Sequence, residues 1–259
     1  MSSYSITSLY SGSKGNCVLI ESEKAKILID AGKSARALCS ALNSIGRSID
    51  EIDAIFITHE HTDHISALEV LLRKHRIPVH MVRISAERVI DNKLAEHKHL
   101  VVMHDPLFKE RVGDMRIESF PTSHDSAYSV GYVIRMLGKG VKIGYATDTG
   151  YVTDEMYDAL TNCESVVIEC NHDPSKLMNG PYPYDLKMRI ISDTGHLSNF
   201  DCAYLLKDLC LFETKNILLA HLSEENNDPA LAYDTVWEKI NNESINLKVA
   251  SQYEAVKLV

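Results

Sequence analysis

The segment Ile57-Thr58-His59-Glu60-His61-Thr62-Asp63-His64 concentrates side chains that can bind metal ions. Its spacing, HxHxDH, puts four potential ligands within six residues, directly after an apolar run. His59 and His61 alternate on an extended segment and can reach one ion, whereas Asp63 and His64 lie on the following turn and face another. A polar turn that happens to be rich in histidine is the alternative. The division of ligands between two ions favours a metal site.

Three further ligand-type side chains each follow an apolar run. His124 lies in SFPTSHDSA, Asp148 in IGYATDTG and His221 in NILLAHLS. Each one alone would more often be an ordinary loop residue, but the coincidence at three strand ends favours a site for two ions. A carboxylate such as that of Asp148 can bridge two cations, with His124 completing one ion and His221 the other.

The elements that must position these residues are short strands and intervening helices. Apolar runs rich in Val, Ile and Tyr predict strands; they are SITSLY, NCVLIES, AKILIDAG, IDAIFIT, IPVHMV, RIESF, VGYVIRM, KIGYATD, SVVIEC and NILLAHL. Helical patterns cover residues 34–45, 65–75, 85–96, 153–161, 199–212 and 228–241. The strands are too closely spaced for one doubly wound sheet. We therefore predict an α/β fold with two facing mixed sheets and outer helices, as a single domain over residues 1–259.

Composition limits the function classes. The 259 residues can bury a full core without crosslinks, and the six cysteines form no CxxC pair, which indicates reduced core thiols. The formal charge of −9 argues against nonspecific coating of nucleic acid, although bound cations could still meet phosphates. No apolar stretch approaches the roughly 20 residues of a membrane helix, and the N-terminal residues show no signal core. We expect a cytoplasmic protein with no membrane partner.

The order HxHxDH…H…D…H resembles the metallo-β-lactamase superfamily of hydrolases, whose fold is a four-layer αββα sandwich. The stretches IECNHD, GHLSN and AHLSEENN are similar to its YycJ/WalJ subgroup, small single-domain members related to DNA and RNA exonucleases. The resemblance covers essentially the whole chain and implies two divalent metal ions, of zinc, manganese or iron. It implies that one ion takes His59, His61 and His124, that the other takes Asp63, His64 and His221, and that Asp148 bridges them.

The sequence also departs from other members of that superfamily. Thr147-Asp148-Thr149 stands where one class of β-lactamases has a zinc-binding cysteine. The chain has no inserted segment of roughly 100 residues of the kind that forms a nuclease clamp domain, nor the long arm of transfer-RNA 3′-processing enzymes. These departures disfavour an antibiotic-hydrolysing role and a large processive RNA nuclease.

Two ions roughly 3.5–4 Å apart can activate a shared water for in-line attack on a phosphodiester. Asp63 is the preferred proton acceptor, because a bridging Asp148 would be less free. His196 lies in a polar loop, and Ser198 is predicted to cap the helix that follows, with Asp201 completing a capping box. We predict that His196 and Ser198 contact phosphate and that His196 protonates the leaving group, against the alternative of a plain cap and a solvated loop residue.

Other residues have weaker patterns. His172 and Asn171 follow a predicted strand and are candidate substrate contacts, although His172 could equally support a ligand. Tyr182, in the loop GPYPY, could stack on a base, and an ordinary packed loop is at least as probable a reading. The remaining histidines show no ligand pattern and are expected to be surface or packing residues; they are His75, His80, His97, His99 and His104.

The sequence therefore predicts a binuclear metal-dependent phosphodiesterase, and the resemblance makes it a 5′-to-3′ exonuclease on single-stranded nucleic-acid ends, DNA or RNA. Two other functions stay open. One is hydrolysis of a small phosphodiester or thioester, which a closed pocket would favour. The other is a non-enzymatic regulatory protein that merely holds metal.

Overall fold

Two seven-stranded sheets organise the chain in a computed structural model, which describes residues 4–90 and 94–259. The first sheet has the order β14-β1-β2-β3-β4-β5-β6. Its strands are β1 (Tyr4–Tyr10), β2 (Cys17–Ser22), β3 (Lys26–Ile29), β4 (Ala54–Phe56), β5 (Val79–Val82), β6 (Val101–His104) and β14 (Val256–Lys257). Pairing is antiparallel from β14 to β3 and parallel from β3 to β6, so the sheet is mixed.

The second sheet has the order β13-β12-β11-β10-β9-β8-β7. Its strands are β7 (Lys109–Val112), β8 (Met115–Pro121), β9 (Val130–Met136), β10 (Lys142–Ala146), β11 (Ser165–Glu169), β12 (Asn216–Ala220) and β13 (Asn246–Val249). The half formed by β10 to β13 is parallel, and the half formed by β7 to β10 is antiparallel. Each sheet thus has one parallel half.

Most of the helices pack on the outer faces of the sheets. The helices are α1 (Ala35–Ser44), α2 (Thr62–Ile65), α3 (Leu68–His75), α4 (Arg83–Val89), α5 (Asp154–Leu160), α6 (Pro174–Asn179), α7 (Tyr184–Ile190), α8 (Asn199–Leu209) and α9 (Pro229–Ile240), with 3₁₀ turns at Ile49–Glu51 and Ala95–Leu100. None of the helices in the described part of the chain has the length and apolar character needed to cross a bilayer.

Successive side chains of a strand point alternately into the core between the two sheets and into the core beneath the outer helices. In β3, Ile27 and Ile29 enter the core between the sheets, whereas Leu28 packs outward against α1, α3 and α4. The other sheet packs outward against α5, α8 and α9. Alternate residues of a strand point to opposite faces, so strands apolar at nearly every position require cover on both sides. This arrangement is the predicted four-layer αββα sandwich.

The predicted strands and helices agree with the structure except where the strand or helix is short or its apolar pattern is weak. Every predicted strand is present, but β6, β7, β13 and β14 and the short helices α6 and α7 were not predicted. The predicted helix 85–96 corresponds to α4 and to the 3₁₀ turn that begins at Ala95, and residues 91–93 of that prediction lie outside the described residues.

The predicted helix 65–75 is divided, and backbone hydrogen bonds explain the division. The carbonyl of Asp63 accepts the N–H of Asn16 over 2.9 Å, and the N–H of Ala67 donates to the carbonyl of Ala31 over 2.9 Å. These groups would have bonded to each other in a continuous helix. The loops that contain Asn16 and Ala31 therefore hold the HxHxDH turn from both sides.

Gly32 allows this close approach. A Cβ at Gly32 would lie 1.5 Å from the carbonyl oxygen of Asp63, a distance that no packing adjustment of a side chain can relieve. The turn that carries the candidate ligands therefore packs directly on the backbone at Gly32.

We expect Gly32→Ala to destabilise the protein by about 3 kcal/mol or more, because the backbone of the HxHxDH turn must move. Gly46→Ala is the control. It introduces a side chain at φ +71° with no atom within 4 Å, and should cost only about 1 kcal/mol. Urea unfolding of both variants measures the difference. Equal losses of stability in the two variants would contradict this expectation, because the backbone near Gly32 would then accommodate a Cβ atom without strain.

Candidate metal centre

The candidate ligands lie at one edge of the sandwich, where strands from both sheets end. The HxHxDH turn follows β4, Asp148 follows β10, and His221 follows β12, all within the parallel halves. His124 follows the antiparallel strand β8. The carboxyl ends of parallel strands share an edge, and this geometry brings together residues far apart in the sequence.

Three imidazoles form the first cluster of side chains. His59, His61 and His124 each direct one ligand-type atom to a common point, with all three atoms within 4.8 Å of one another. His61 Nδ1 and His124 Nε2 are 3.3 Å apart. His59 and His124 are buried or nearly so, and His61 is partly exposed.

The second cluster consists of Asp63, His64 and His221, whose ligand-type atoms also lie within 4.8 Å of one another. Asp148 stands between the two clusters. Its Oδ2 is 3.3 Å from His64 Nε2, and its Oδ1 is 3.4 Å from His221 Nε2 and 3.8 Å from His124 Nε2. The structure thus brings together all seven residues predicted from the sequence as metal ligands.

Hydrogen bonds on the far side of the rings fix their orientation. His64 Nδ1 donates to Asp30 Oδ2 over 2.8 Å, and His221 Nδ1 donates to Glu169 Oε1 over 3.0 Å. His124 Nδ1 donates to the carbonyl of Gly195 over 3.1 Å. Since Nδ1 carries the proton in each ring, the Nε2 lone pair faces the centre. Such outer contacts are typical of histidines that bind metals.

His59 is oriented through a hydroxyl group. Thr58 Oγ1 donates to both carboxylate oxygens of Asp30, at 3.1 and 3.0 Å, and it accepts the Nδ1 proton of His59 at 3.0 Å. One buried carboxylate therefore orients two imidazoles, directly at His64 and through Thr58 at His59.

The residues present fit divalent metal ions. The buried side-chain atoms that have no hydrogen-bond partner include His59 Nε2, His221 Nε2 and Asp148 Oδ2. Buried polar atoms without partners are rare because each costs roughly 1–3 kcal/mol. Imidazole nitrogens and carboxylate oxygens are the donors that zinc, manganese and iron accept. Cations held in the two clusters would satisfy all three atoms.

The pKa values of neighbouring groups at the two clusters are shifted in opposite directions. Burial alone would lower the pKa of His64, but the carboxylates of Asp30, Asp148 and Asp63 outweigh burial and raise it well above its usual value. Burial lowers the pKa of His59 well below its usual value, with the neighbouring His64 acting in the same direction. Burial opposes ionisation of Asp63, yet the attraction of His64 and the closeness of His221, whose Nε2 is 3.6 Å from Asp63 Oδ2, hold its pKa far below the usual range. The excess of carboxylates at the second cluster favours a cation.

Three residues of the site have left-handed backbone conformations. Asp30 has φ +63°, Asp148 has φ +57° and His221 has φ +55°. Residues other than glycine seldom adopt this region, where each costs of order 1–3 kcal/mol unless the surroundings hold it. Each of the three stands just past the end of a strand, so the turn of the backbone directs its side chain across the edge of the sheet.

Glu169, the last residue of β11, connects several parts of the site. Its Oε1 accepts from His196 Nδ1 at 2.7 Å and from His221 Nδ1 at 3.0 Å. Its Oε2 accepts the backbone N–H of Thr149 at 2.9 Å and that of Leu197 at 3.3 Å. Burial disfavours the charged carboxylate, but the charge of His196 and the hydrogen bonds of both histidines outweigh burial and lower the pKa of Glu169 to about 2.

His196 lies at the rim of the metal-ligand clusters. Its Nδ1 is 3.8 Å from Asp148 Oδ1, and its ring stacks on that of His221 with centroids 5.2 Å apart. Its side chain is 23% exposed, compared with 3% for His221, so His196 is the one that solvent reaches. Burial would lower the pKa of His196, but the charge and hydrogen bond of Glu169 raise it.

The predicted substrate contacts lie in different environments. Ser198 caps α8 by accepting the N–H of Asp201 at 3.1 Å, as predicted, and its hydroxyl donates to the Asp201 carboxylate. Asn171 donates to the carbonyl of His221 over 2.9 Å and is buried, as is His172. Ser198 and His172 do not line the cavity described next, whereas Asn171 contributes to its wall.

Tyr182 is the predicted contact that lies in the open. It lines a cavity of about 180 Å³ beside the metal-ligand clusters, together with His196, Arg189 and Asp125. Arg189 Nε donates to Asp125 Oδ2 over 2.5 Å, and the Arg189 side chain remains 61% exposed. The cavity therefore offers an aromatic ring and a cation next to the centre.

The residues that hydrogen-bond to the candidate ligands and orient them were not among the sequence predictions. Asp30, Glu169, Thr58 and Asn16 were not predicted, although Asn16 Nδ2 lies 3.3 Å from Asp63 Oδ2 and 3.2 Å from His64 Nε2. The signal was present at two positions. Asp30 follows the apolar run KILI, and Glu169 ends the apolar run SVVIE. A carboxylate at the end of a buried strand requires a partner inside the protein.

The fold and the site define a class of protein, and the chain belongs to the metallo-β-lactamase-fold superfamily. The family model described as "Beta-lactamase superfamily domain" matches residues 25–222. The chain is 36% identical to the exodeoxyribonuclease YycJ of Bacillus anthracis, covering 92% of this chain and 90% of that protein. It is 38% identical to the exodeoxyribonuclease WalJ of Streptococcus pneumoniae serotype 2 (strain D39), covering 95% and 91%. The metallo-β-lactamase-fold protein YhfI from Bacillus subtilis superposes with a TM-score of 0.74 at 18% identity, over 98% and 99% of the two chains.

Replacing His221 and replacing His196 should have different effects on metal content and turnover, although both residues occur in the tripeptide His-Leu-Ser. His221→Ala removes a buried nitrogen from the second cluster and should release about one metal ion per chain. His196→Ala should leave the metal bound and slow turnover by about 100-fold, because His196 Nδ1 is already engaged by Glu169. Mass spectrometry of bound metal measures the first effect, and loss of metal from His196→Ala would contradict the division of roles.

His172 should make stability depend on pH. Burial lowers its pKa from 6.5 to about 4, and the residue is 2% exposed. The unfolded chain binds the proton at higher pH than the folded chain, so the stabilisation is present above pH 6.5 and is lost as the pH falls toward 4. The loss should be about 2–3 kcal/mol between pH 7 and pH 4.5.

Urea unfolding with a chelator at these two pH values tests this expectation on His172→Gln. The variant should lose less stability on acidification than the wild type, whereas His99→Gln, which changes an exposed histidine, should follow the wild type. The expectation fails if all three proteins lose the same amount.

Proposed function

We propose that this protein is a metal-dependent phosphodiesterase that removes nucleotides from the 5′ ends of single-stranded DNA. The observation that carries the proposal is the convergence of two sets of ligand atoms on Asp148. The names of the two bacterial relatives support DNA as the substrate. The two sheets enclose one shared core, which supports the prediction of a single working domain.

The ligand assignment follows the clusters. His59, His61 and His124 would hold one ion, Asp63, His64 and His221 would hold the other, and Asp148 would contact both. Bound divalent ions of this kind supply an activated water and stabilise the oxygens of an in-line displacement. Zinc and manganese both suit an all-nitrogen and oxygen ligand set, so the metal is a variable of the test.

Asp63 is proposed as the proton acceptor in preference to Asp148. The Asp63 side chain is 26% exposed, whereas that of Asp148 is 3% exposed and lies between the two clusters. A carboxylate at the solvent side can pass a proton outward, which a buried bridging group cannot do without movement. Asn16, at 3.3 Å, holds the Asp63 carboxylate in place.

His196 is proposed as the proton donor to the leaving oxygen. Glu169 accepts the Nδ1 proton over 2.7 Å and stabilises the imidazolium, so Nε2 is the atom that can donate to a substrate. The ring borders the cavity that contains Tyr182 and Arg189. This placement puts a proton donor between the metal-ligand clusters and the space where a nucleotide would lie.

Tyr182 and Arg189 are proposed as the contacts for the strand. A partly exposed tyrosine such as Tyr182 can stack on a base of any sequence, and an arginine can bind phosphate in a bidentate manner. The Arg189–Asp125 ion pair limits how strongly this cation attracts phosphate before binding, because Asp125 already neutralises it. Ser198, His172 and Asn171 are proposed to position the loops around the site.

The two alternative functions differ from the proposed one in the substrate that each requires. Hydrolysis of a small phosphodiester or thioester would use the same ligands and would need the cavity but no extended strand. A regulatory protein that only holds metal would retain no turnover. Both are tested by the substrates below.

The decisive experiment gives purified protein 5′-phosphorylated and 5′-hydroxyl single strands of DNA and RNA, labelled at either end, with manganese or zinc. We expect mononucleotides to be released in order from the 5′ end of DNA. His61→Ala should abolish release while its unfolding transition with a chelator stays that of the wild type. Absence of cleavage of every strand, with turnover of a small phosphodiester, would overturn the exonuclease proposal, and absence of all turnover would favour the regulatory role.

A further inference from the structure

A second group of ligand-type side chains lies apart from the candidate metal centre. His80 on β5, His104 at the end of β6 and Glu110 on β7 each offer one donor atom, and the three atoms lie within 4.8 Å of one another. His80 Nδ1 and His104 Nε2 are 2.9 Å apart. No spacing pattern predicts this group, because 24 residues separate the two histidines.

The two imidazoles are held in a column of four aromatic rings. His80 stacks on Phe56 with centroids 4.5 Å apart, and His104 stacks on Phe108 with centroids 3.9 Å apart. The two imidazoles are parallel to within 12°. Tyr132 meets both phenylalanines edge-on, at 5.8 and 6.1 Å. Rings packed on both sides lose little further freedom on binding a ligand, so the column presents preorganised donors.

The chemistry of the group suits a divalent cation. Burial lowers the pKa of His80 to about 4 and also lowers that of His104, so both rings are neutral at pH 7, as metal ligands must be. In the described part of the chain, Glu110 accepts the backbone N–H of Arg111 and pairs with no lysine or arginine. Its carboxylate is therefore available to a cation. His80 is buried, whereas His104 and Glu110 are partly exposed, which leaves a route from solvent.

We propose that His80, His104 and Glu110 form a separate zinc site. Two histidines and one carboxylate are a common ligand set for zinc, with a water completing four-coordination. Ligand atoms about 2.0–2.1 Å from a tetrahedral ion lie roughly 3.3 Å apart. The nitrogen pair at 2.9 Å reaches that spacing by a small ring movement.

The position of the site gives it a structural role. β6 is the edge strand of the first sheet and β7 is the edge strand of the second, and the two sheets are not joined by backbone hydrogen bonds at this edge in the described residues. An ion held by His104 and Glu110 links the two edges directly. The ion would add to the link that residues 105–108 already make between these two strands along the chain, and its binding would stabilise the folded state.

Zinc stoichiometry tests the site. Wild-type protein and His104→Phe are equilibrated with buffered free zinc, separated from unbound ion, and analysed by mass spectrometry. Phenylalanine preserves the flat ring between His80 and Phe108 but removes the donor. We expect wild type to bind one more zinc per chain than His104→Phe and to gain a larger increase in Tm with zinc. Equal zinc content in the two folded proteins would overturn the proposal and leave the pair sharing a proton only.

Two further variants make the result decisive. His99→Gln, at an exposed position, should bind as much zinc as the wild type. Glu110→Gln should raise the dissociation constant of the additional zinc by about 10-fold or more, and it decides the question if His104→Phe does not fold. Unchanged zinc content and affinity in Glu110→Gln would equally overturn the proposal. The readout is bound metal, so it is independent of whether the protein cleaves DNA.

Discussion

Buried carboxylates paired with imidazoles are the constraint on which the rest of the structure depends. Asp30 and Glu169 are fully buried, and each is satisfied on both oxygens by histidines, a threonine or backbone N–H groups. Because a buried charge is stable only with partners, each carboxylate fixes the protonated nitrogen of its histidines. The opposite nitrogens are thereby turned into a convergent set of lone pairs. The buried carboxylates, which would not touch a metal ion themselves, thus determine which histidine nitrogens could bind one.

The sandwich supplies the geometry that these pairs need. Asp30 and the HxHxDH turn leave one sheet, whereas Asp148, Glu169 and His221 leave the other, so the site exists only when both sheets are in place. The left-handed backbone at Asp30, Asp148 and His221 has a conformational cost that the surrounding core must offset. Strain located at three strand ends, facing one another, is consistent with a site kept for function rather than stability.

Much of this could be predicted from the sequence. The seven predicted ligands follow from HxHxDH and from His or Asp residues placed just after apolar runs. The two facing sheets follow from the close spacing of those runs, whereas the four-layer order was implied by the family resemblance. The short strand β7, with the sequence KERV, was missed because its side chains alternate between exposed and half-buried and carry no apolar signal. The division between α2 and α3 was missed because it depends on bonds from Asn16 and Ala31, which a local pattern does not contain. Glu169 was missed because its signal was one carboxylate at the end of an apolar run, with no second ligand-type residue at a fixed spacing to support it.

Glu169 Oε1 serves two histidines at once, His196 at the rim and His221 in the interior. The two rings therefore share one acceptor, whose two lone pairs accept both hydrogen bonds at once. A ligand that draws His196 away from this oxygen leaves the carboxylate to His221 alone and makes that imidazole a stronger electron donor. By thermodynamic linkage the effect is reciprocal, so whatever tightens the grip of His221 on its own ligand alters the affinity at the rim by the same factor. One shared oxygen atom would thus couple binding at the rim to binding in the interior.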